Sequence, residues 1–165
     1  MRRNYRVFLL FVFLAVGCVS ISAQTEKTII IRMLDTRTGL LISSDHYLVR
    51  INHQTEQHGD WIKKSEDGSG SLTLPAGADV LAISATYEYA TLAYVNCDSD
   101  KDRGSADHVA SLTHWYPVAE ILSAGVVAPN NCIGKKVPEK LQAVAKPGEY
   151  VFFVRPLNAR EKLLK

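Results

Sequence analysis

Residues 27–34 have the sequence Lys27-Thr28-Ile29-Ile30-Ile31-Arg32-Met33-Leu34. Ile29, Ile31 and Met33 are two residues apart, so an extended backbone places them on one face, and this period of two predicts a β-strand. The five residues that follow begin with Asp35 and end with Gly39, which is turn chemistry, since aspartate can bond the downstream backbone and glycine accepts a positive φ. A strand followed at once by a tight turn is typical of a protein built from short strands.

The same alternation recurs along the chain. Further strands are predicted at residues 46–52, 72–74, 79–86, 91–97 and 150–154. The last of these is apolar on both faces, so we expect it in the centre of a sheet. Short helices are predicted at 117–124, with Pro117 in the first helical position and Gly125 just past the end, and at 138–146. Short strands with a turn about every ten residues predict a mainly β protein with the architecture of a β-sandwich.

The first 23 residues have the pattern of a secretory signal peptide. Basic Arg2, Arg3 and Arg6 precede an apolar run over residues 7–17, and small residues follow up to Ala23. The run is shorter than the roughly 20 residues that span a bilayer, although an uncleaved membrane anchor is the alternative. We expect residues 24–165 to form a single exported domain, periplasmic or secreted.

Two cleavage sites compete within this segment. An ordinary signal peptidase would cut before Gln24, where small residues precede the bond. Residues 14–18, Leu-Ala-Val-Gly-Cys, are similar to a bacterial lipobox, which would make Cys18 a lipidated N-terminus and the protein an outer-membrane lipoprotein. The protein would contact a membrane only if Cys18 is lipidated.

Composition excludes several classes of function. The chain has 165 residues, 47% of them hydrophobic, which is too apolar for a disordered chain and enough for one core. Its formal net charge is +2, and loss of residues 1–23 removes three arginines and no acidic residue, leaving 16 basic against 17 acidic side chains. A nearly neutral chain is not a dedicated nucleic-acid binder.

Cysteine usage fits an oxidising compartment. The chain contains Cys18, Cys97 and Cys132, and the first lies in the signal segment. The remaining pair is most simply a disulfide that closes a loop of roughly 36 residues. A nucleophilic cysteine or a metal site is the alternative, but neither residue has a cysteine or histidine nearby at ligand spacing.

Three motifs stand in order over residues 28–89. They are the strand that ends in the turn at 35–39, the hairpin Asp67-Gly68-Ser69-Gly70-Ser71-Leu72-Thr73-Leu74, and Leu74-Pro75-Ala76-Gly77 with the run up to Tyr89. This segment resembles the carboxypeptidase regulatory-like, or prealbumin-like (transthyretin-like), β-sandwich family. The resemblance implies a seven-stranded, Ig-like antiparallel β-sandwich, here with one or two short helices after residue 115, that serves as an accessory module without an active site. The C-terminal half is similar to exported bacterial proteins of unassigned role.

No catalytic or metal motif stands out in the sequence. The five histidines, at 46, 53, 58, 108 and 114, match no local nucleophile or zinc pattern, and we interpret them as surface or loop residues. Asp98, Asp100 and Asp102 are spaced as in a calcium loop, but Gly104 is one position late and Val109 stands where a bidentate glutamate is needed. We therefore interpret this stretch as a solvated turn, and we expect no metal and no cofactor.

The remaining candidate for function is a surface. The polar segment from Asp98 to His114 is long for a compact domain, and such segments are often functional. Aromatic side chains flank it, and these can stack on sugars or anchor a protein. The candidate binding residues are Tyr87, Tyr89, Asp98, Asp100, Asp102, His108, His114, Trp115 and Tyr116.

Two functions remain open at this point. The first is a non-catalytic module that binds a protein or polysaccharide of the cell envelope. The second is a small extracytoplasmic hydrolase whose histidine and aspartate side chains come from distant parts of the chain. For Trp115 and Tyr116 a purely structural role, capping the edge of the core, is the alternative to binding.

Overall fold

The computed structural model describes residues 26–43, 47–54, 62–85, 94–98, 114–133 and 138–160. These ranges contain nine strands, an α-helix and a 3-10 helix, and Ala159 and Arg160 are also helical. The strands are β1 (Lys27–Asp35), β2 (Tyr47–Ile51), β3 (Ile62–Lys64), β4 (Gly70–Leu74), β5 (Val80–Ala85), β6 (Tyr94–Asn96), β7 (Tyr116–Pro117), β8 (Val126–Val127) and β9 (Glu149–Pro156). Helix α1 spans Val118–Ala124, and the 3-10 helix spans Glu139–Leu141.

The strands form two sheets. Sheet A has the order β3-β4-β1-β9-β6, with β8 beside the first half of β9, and sheet B has the order β2-β5-β7. In sheet A, β1 is antiparallel to β4 but parallel to β9, with Ile31 opposite Tyr150. In sheet B both pairings are antiparallel, so Ile51, Leu81 and Tyr116 form one row across the three strands.

The main core lies between the two sheets. Each strand contributes alternate residues to it, as the period of two requires. The core residues of sheet A include Ile29, Ile31, Met33, Leu72, Tyr150, Phe152 and Val154, and those of sheet B include Tyr47, Val49, Ile51, Leu81 and Ile83. Helix α1 adds Val118 and Ile121 to the same core.

A second, smaller core lies on the outer face of sheet A. Leu34, Val151 and Phe153 point away from sheet B and are buried beneath residues 129–133 and 138–146, which we call the covering segment. Ala143 and Ala145 of this segment pack on them, whereas Val144 between the two alanines is 78% exposed. Strand β9 is therefore buried on both faces, which confirms the prediction for residues 150–154.

A disulfide and hydrogen bonds hold the covering segment to sheet A. Cys132 forms a disulfide with Cys97, which directly follows β6. The buried hydroxyl of Thr36 donates a 2.5 Å hydrogen bond to Asn130 Oδ1. Near the other end of the segment, Arg32 donates to the carbonyl of Val144 at 3.3 Å. Arg32 also pairs with Glu149 at 3.6 Å, and because Glu149 is in β9 this ion pair lies within sheet A. The segment is thus attached at both ends, and the predicted disulfide is present.

Most of the predicted strands are confirmed, and the departures concern strand pairing and the two predicted helices. The mainly β, two-sheet architecture is confirmed, but the pairings β1–β9 and β8–β9 are parallel where an antiparallel sandwich was expected. Pro117 pairs with Val80 in β7 and precedes helix α1, so it is not the first helical residue. Within the second predicted helix, only the 3-10 turn Glu139–Leu141 is helical.

Some predictions fall on residues outside the described ranges. These include the signal segment with both cleavage sites and Cys18. In the ranges that are described, no helix has the length and apolar character needed to cross a membrane.

Candidate functional site

The side chains of residues 114–116, at the start of β7, lie in two different environments. Tyr116 packs against the main core and lies 5.1 Å from Tyr150, measured between ring centroids. Trp115 directly precedes β7 and is half-buried. Because adjacent side chains of an extended segment point to opposite faces, Trp115 points away from the main core. His114, one residue earlier, is exposed. Residues 114–116 therefore connect the interior of the sandwich to its surface.

A buried carboxyl group fixes the interior side of this segment. Asp98 is only 1% exposed, and its Oδ2 accepts a hydrogen bond from the hydroxyl of Tyr116 at 3.3 Å. Its Oδ1 is also buried and meets no hydrogen-bond partner within the described residues. Because Asp98 and Tyr116 are joined, the two ends of the long polar segment predicted from sequence lie together.

Burial decides the protonation of this cluster. It raises the pKa of Asp98 to about 6, and the positive charge of His114 opposes this rise. Burial also raises the pKa of Tyr116 above its usual value, and the negative charge of Asp98 adds to this effect. The pKa of Tyr150 is raised for the same two reasons, burial first. Asp98 consequently changes charge in the mildly acidic range, while both tyrosines stay neutral.

The outer side of the segment carries an aromatic pair. The rings of Trp115 and His53 lie 4.4 Å apart between centroids. His53 belongs to the turn after β2, where Asn52 and His53 have φ values of 52° and 59°. This left-handed backbone is uncommon for residues other than glycine, although asparagine and histidine are enriched there.

Asn52 holds that turn in place with its side chain. Its Nδ2 donates to the carbonyl of Gly77 at 2.7 Å, and its Oδ1 accepts from the backbone N–H of Asp79 at 2.9 Å and of Val80 at 3.3 Å. These bonds tie the end of β2 to the start of β5. The position of His53 over Trp115 therefore follows from a clamped turn.

The residues predicted from sequence separate into three groups. Cys97 and Cys132 form the predicted disulfide. Asp98, Tyr116, His114 and Trp115 come together, although Asp98 is buried and Tyr116 points inward, so neither belongs to the surface itself. The expected solvated turn is wrong at Asp98, because the first residue of that stretch is inside the protein. Outside the described ranges lie Tyr87, Tyr89, Asp100, Asp102 and His108.

Sequence reasoning missed three residues at this site. His53 was interpreted as an ordinary loop residue, and neither Arg50 nor Tyr150 was singled out. A signal for Arg50 did exist, because it alternates with Val49 and Ile51 and so had to face outward. The neighbours of these residues, which are Ala82 for Arg50, Trp115 for His53 and Tyr116 for Tyr150, are distant in sequence. A local pattern does not show such contacts.

The site offers a buried carboxyl group on its inner side and an aromatic pair on its outer side. Among the described residues, no three histidine, cysteine, aspartate or glutamate side chains are grouped so that they could hold a metal ion. Asp98 has the protonation behaviour of a general acid or base, but with 1% exposure it offers no access to a substrate in this conformation. The outer pair of Trp115 and His53, in contrast, faces away from the core.

Comparisons with protein-family models, curated proteins and solved structures found no match to this chain. The resemblance to the carboxypeptidase regulatory-like family therefore remains a prediction from the three motifs. Function has to be argued from the geometry of the site.

Proposed function

We propose that this protein is an exported, non-catalytic β-sandwich module that binds a partner in the bacterial cell envelope or outside the cell. The observation that carries the proposal is the ring pair of Trp115 and His53 on the outer face of sheet B. A surface-facing tryptophan that is positioned by a clamped turn is well suited to stacking on a ligand.

The way Trp115 is positioned supports a binding role. Trp115 lies next to Tyr116, whose hydroxyl is bonded to buried Asp98, and it is covered on one side by His53. Because both neighbours are fixed, little conformational entropy is lost when a ligand contacts the ring, and preorganisation of this kind increases affinity.

Export is supported by the disulfide and by the signal-like N-terminal sequence. Disulfides persist in oxidising compartments and are rare in the cytoplasm, and Cys97–Cys132 joins two elements of the fold. Under this proposal the location is periplasmic or secreted, with an outer-membrane lipoprotein as the variant if Cys18 is acylated. The carboxypeptidase regulatory-like assignment belongs to the same proposal and rests on residues 28–89.

A small hydrolase is the second candidate, and one observation favours it. Burial raises the pKa of Asp98 to about 6, within the range that suits general acid–base catalysis, and the charge of His114 acts on it. The inaccessibility of Asp98 weighs against this function. An Asp98→Asn variant that loses a hydrolytic activity while keeping its fold would establish the enzyme.

Affinity capture tests the binding proposal. The purified chain is immobilised and exposed to solubilised envelope material, and the retained polymer or protein is quantified by mass spectrometry and sugar analysis. We expect Trp115→Ala to lose most of the retained partner and Trp115→Phe to keep part of it. The matched control is Val144→Ser, which removes an exposed apolar side chain from the covering segment on the opposite side of the sandwich. Equal retention by Trp115→Ala and the wild type would refute the assignment of this surface.

A further inference from the structure

The two ends of the polar segment 98–114 meet inside the protein, next to Trp115. Asp98 is 1% exposed, and its Oδ2 accepts a hydrogen bond from the hydroxyl of Tyr116 at 3.3 Å. Tyr116 also packs on Tyr150 of β9, with 5.1 Å between the ring centroids. Because Trp115 directly precedes Tyr116, the contacts that fix Tyr116 also fix the backbone from which the Trp115 ring projects.

The chain before Asp98 is firmly anchored. The backbone N–H of Cys97 donates to the carbonyl of Phe153 at 2.9 Å, and the Cys97 side chain forms the disulfide with the covering segment. In β6 the side-chain amide of Asn96 donates to the carbonyl of Ile83 at 3.0 Å, which joins the two sheets. The carboxyl group of Asp98 can therefore change position by local rotation, while β6 stays in its sheet.

The start of β7 is held by a short backbone pairing. Strand β7 consists of Tyr116 and Pro117, which pair with Leu81 and Val80 of β5. Proline has no backbone N–H, which limits the hydrogen bonds that this pairing can form. The side-chain bond from Tyr116 to Asp98 is therefore an important restraint on residues 115 and 116.

The charge of Asp98 determines how favourable this arrangement is. Burial raises the pKa of Asp98 to about 6, and the charge of His114 opposes the rise. The titratable groups that face the carboxyl group are His114 before β7, Tyr116 of β7 and Tyr150 of β9, and β6 contributes the neutral amide of Asn96. A neutral carboxyl group suits this environment, whereas burial of a carboxylate costs free energy.

We infer that Asp98 is a pH-dependent switch for the Trp115 surface, because its neutral form holds Tyr116 and Trp115 in place and its ionised form releases them. The inference rests on the proposed binding function and names how that site is regulated. Ionisation favours a conformation in which the carboxylate reaches water, and Tyr116 then loses its partner. Trp115 is then no longer held against His53, so binding should be stronger in mildly acidic surroundings than at neutral pH.

The size of the effect follows from the linkage between the proton and the conformation. The Asp98 carboxyl group has a pKa of about 6 when buried, against an ordinary value of 3.8. Between pH 5.0 and pH 7.5, the ratio of the buried to the released conformation should therefore fall by up to about tenfold. Exposure of Trp115 should follow the released fraction, and retention of a partner should follow the buried fraction.

Fluorine NMR of the full chain labelled with 5-fluorotryptophan tests the switch. The chain has two tryptophans, so Trp115→Phe assigns the two signals. A soluble, neutral gadolinium chelate broadens each signal according to its exposure to water. We expect the broadening of the Trp115 signal to increase several-fold between pH 5.0 and pH 7.5. Asp98→Asn should keep this broadening low at both pH values.

Two further variants separate Asp98 from its surroundings. Tyr116→Phe keeps the carboxyl group but removes its bond to residue 116, so Trp115 should be exposed at both pH values. Asp67→Asn is the matched control, since it neutralises an exposed carboxylate in the turn before β4, and it should behave like the wild type. Far-UV circular dichroism checks that every variant is folded. Undiminished pH dependence in Asp98→Asn would assign the effect to the nearby histidines and overturn the inference.

Retention of solubilised envelope material at the same two pH values separates the inference from the proposed function. We expect the wild type to retain more at pH 5.0 than at pH 7.5, and Asp98→Asn to retain equal amounts. Equal retention by the wild type at both pH values, still lost in Trp115→Ala, would overturn the inference and leave the proposed function standing. Retention that does not depend on Trp115 at either pH would instead refute the proposed function.

Discussion

The outer faces of sheets A and B differ in what lies over them. On sheet A, Val151 and Phe153 are sealed beneath a covering segment that a disulfide and buried polar contacts hold down. On sheet B, Arg50 of β2 is opposite Ala82 of β5, and the rings of Trp115 and His53 lie 4.4 Å apart. The first arrangement increases burial of apolar surface, and the second places groups suited to recognition at the surface. Under the proposed function, stability and binding belong to opposite sides of the protein, and mutations should separate them.

The largest expected effect is on stability, from truncation beneath the covering segment. Phe153→Ala removes a ring that is 3% exposed, and large-to-small changes of this kind cost about 3–5 kcal/mol. Trp115→Ala on the other face should change the free energy of unfolding by about 1 kcal/mol or less, since its side chain is not enclosed in the core. Urea unfolding measures both values. Comparable losses of unfolding free energy in the two variants would show that the two faces do not differ in their contribution to stability.

Removal of the disulfide should lower the free energy of unfolding by nearly as much. The bridge has a sequence separation of 35, and a loop of that size restricts the unfolded chain by roughly 3–4 kcal/mol. We expect the double variant Cys97→Ser with Cys132→Ser to unfold at correspondingly lower urea concentration, while it still binds its partner below its melting temperature. If binding is lost while the fold persists, the covering segment contributes to recognition and the division between the faces is wrong.

The buried carboxyl of Asp98 should make stability depend on pH. Its pKa in the folded protein, about 6, lies above the usual 3.8, so the folded state holds the proton more tightly than the unfolded state. The tighter binding of this proton stabilises the folded state by roughly 3 kcal/mol. This contribution is complete below pH 3.8 and is lost as the pH rises through about 6. Asp98→Asn should flatten this pH dependence and raise stability at pH 7, relative to the wild type.

A matched variant sharpens the test of Asp98. Tyr116→Phe removes only the hydrogen bond to Oδ2 and should leave the pH dependence in place. Thermal unfolding between pH 3.5 and 7.5 measures all three proteins. An unchanged pH profile in Asp98→Asn would show that another group is responsible.

The smallest effect is expected at the turn that positions His53. Asn52→Ala removes three side-chain hydrogen bonds and leaves alanine at a φ of 52°, and we expect a loss of about 1–2 kcal/mol. Asn52→Gly loses the same bonds but relieves the backbone strain, so it should lose less. Both variants should weaken partner binding at Trp115. Unaltered binding in Asn52→Ala would show that the clamped turn is not needed for recognition.

The local part of the fold was readable from the sequence because strand alternation is a local signal. Ile29, Ile31 and Met33 share a buried face as their spacing predicted, and Leu72 is buried in the same core. The disulfide was likewise predictable from the signal-like N-terminal sequence and from the even number of cysteines that follow it. These inferences needed no knowledge of which strands are neighbours.

The parallel pairing of β1 with β9 and the burial of Asp98 were not readable in this way. Both depend on contacts between residues far apart in sequence, and Asp98 stands in a polar stretch that is typical of a solvated turn. The ring contact between Trp115 and His53 is of the same kind, because the two residues are far apart in sequence. The sequence identified Trp115 as a candidate binding residue, but it indicated neither the side of the protein on which Trp115 lies nor its contact with His53.

Hydrogen–deuterium exchange of the full chain, with and without captured envelope polysaccharide, tests the central claim most directly. We expect slower exchange in residues 47–54, 80–85 and 114–117, which build the outer face of sheet B, and no change in residues 138–146 of the covering segment. Protection confined to the covering segment, or spread equally over both sides, would contradict the account.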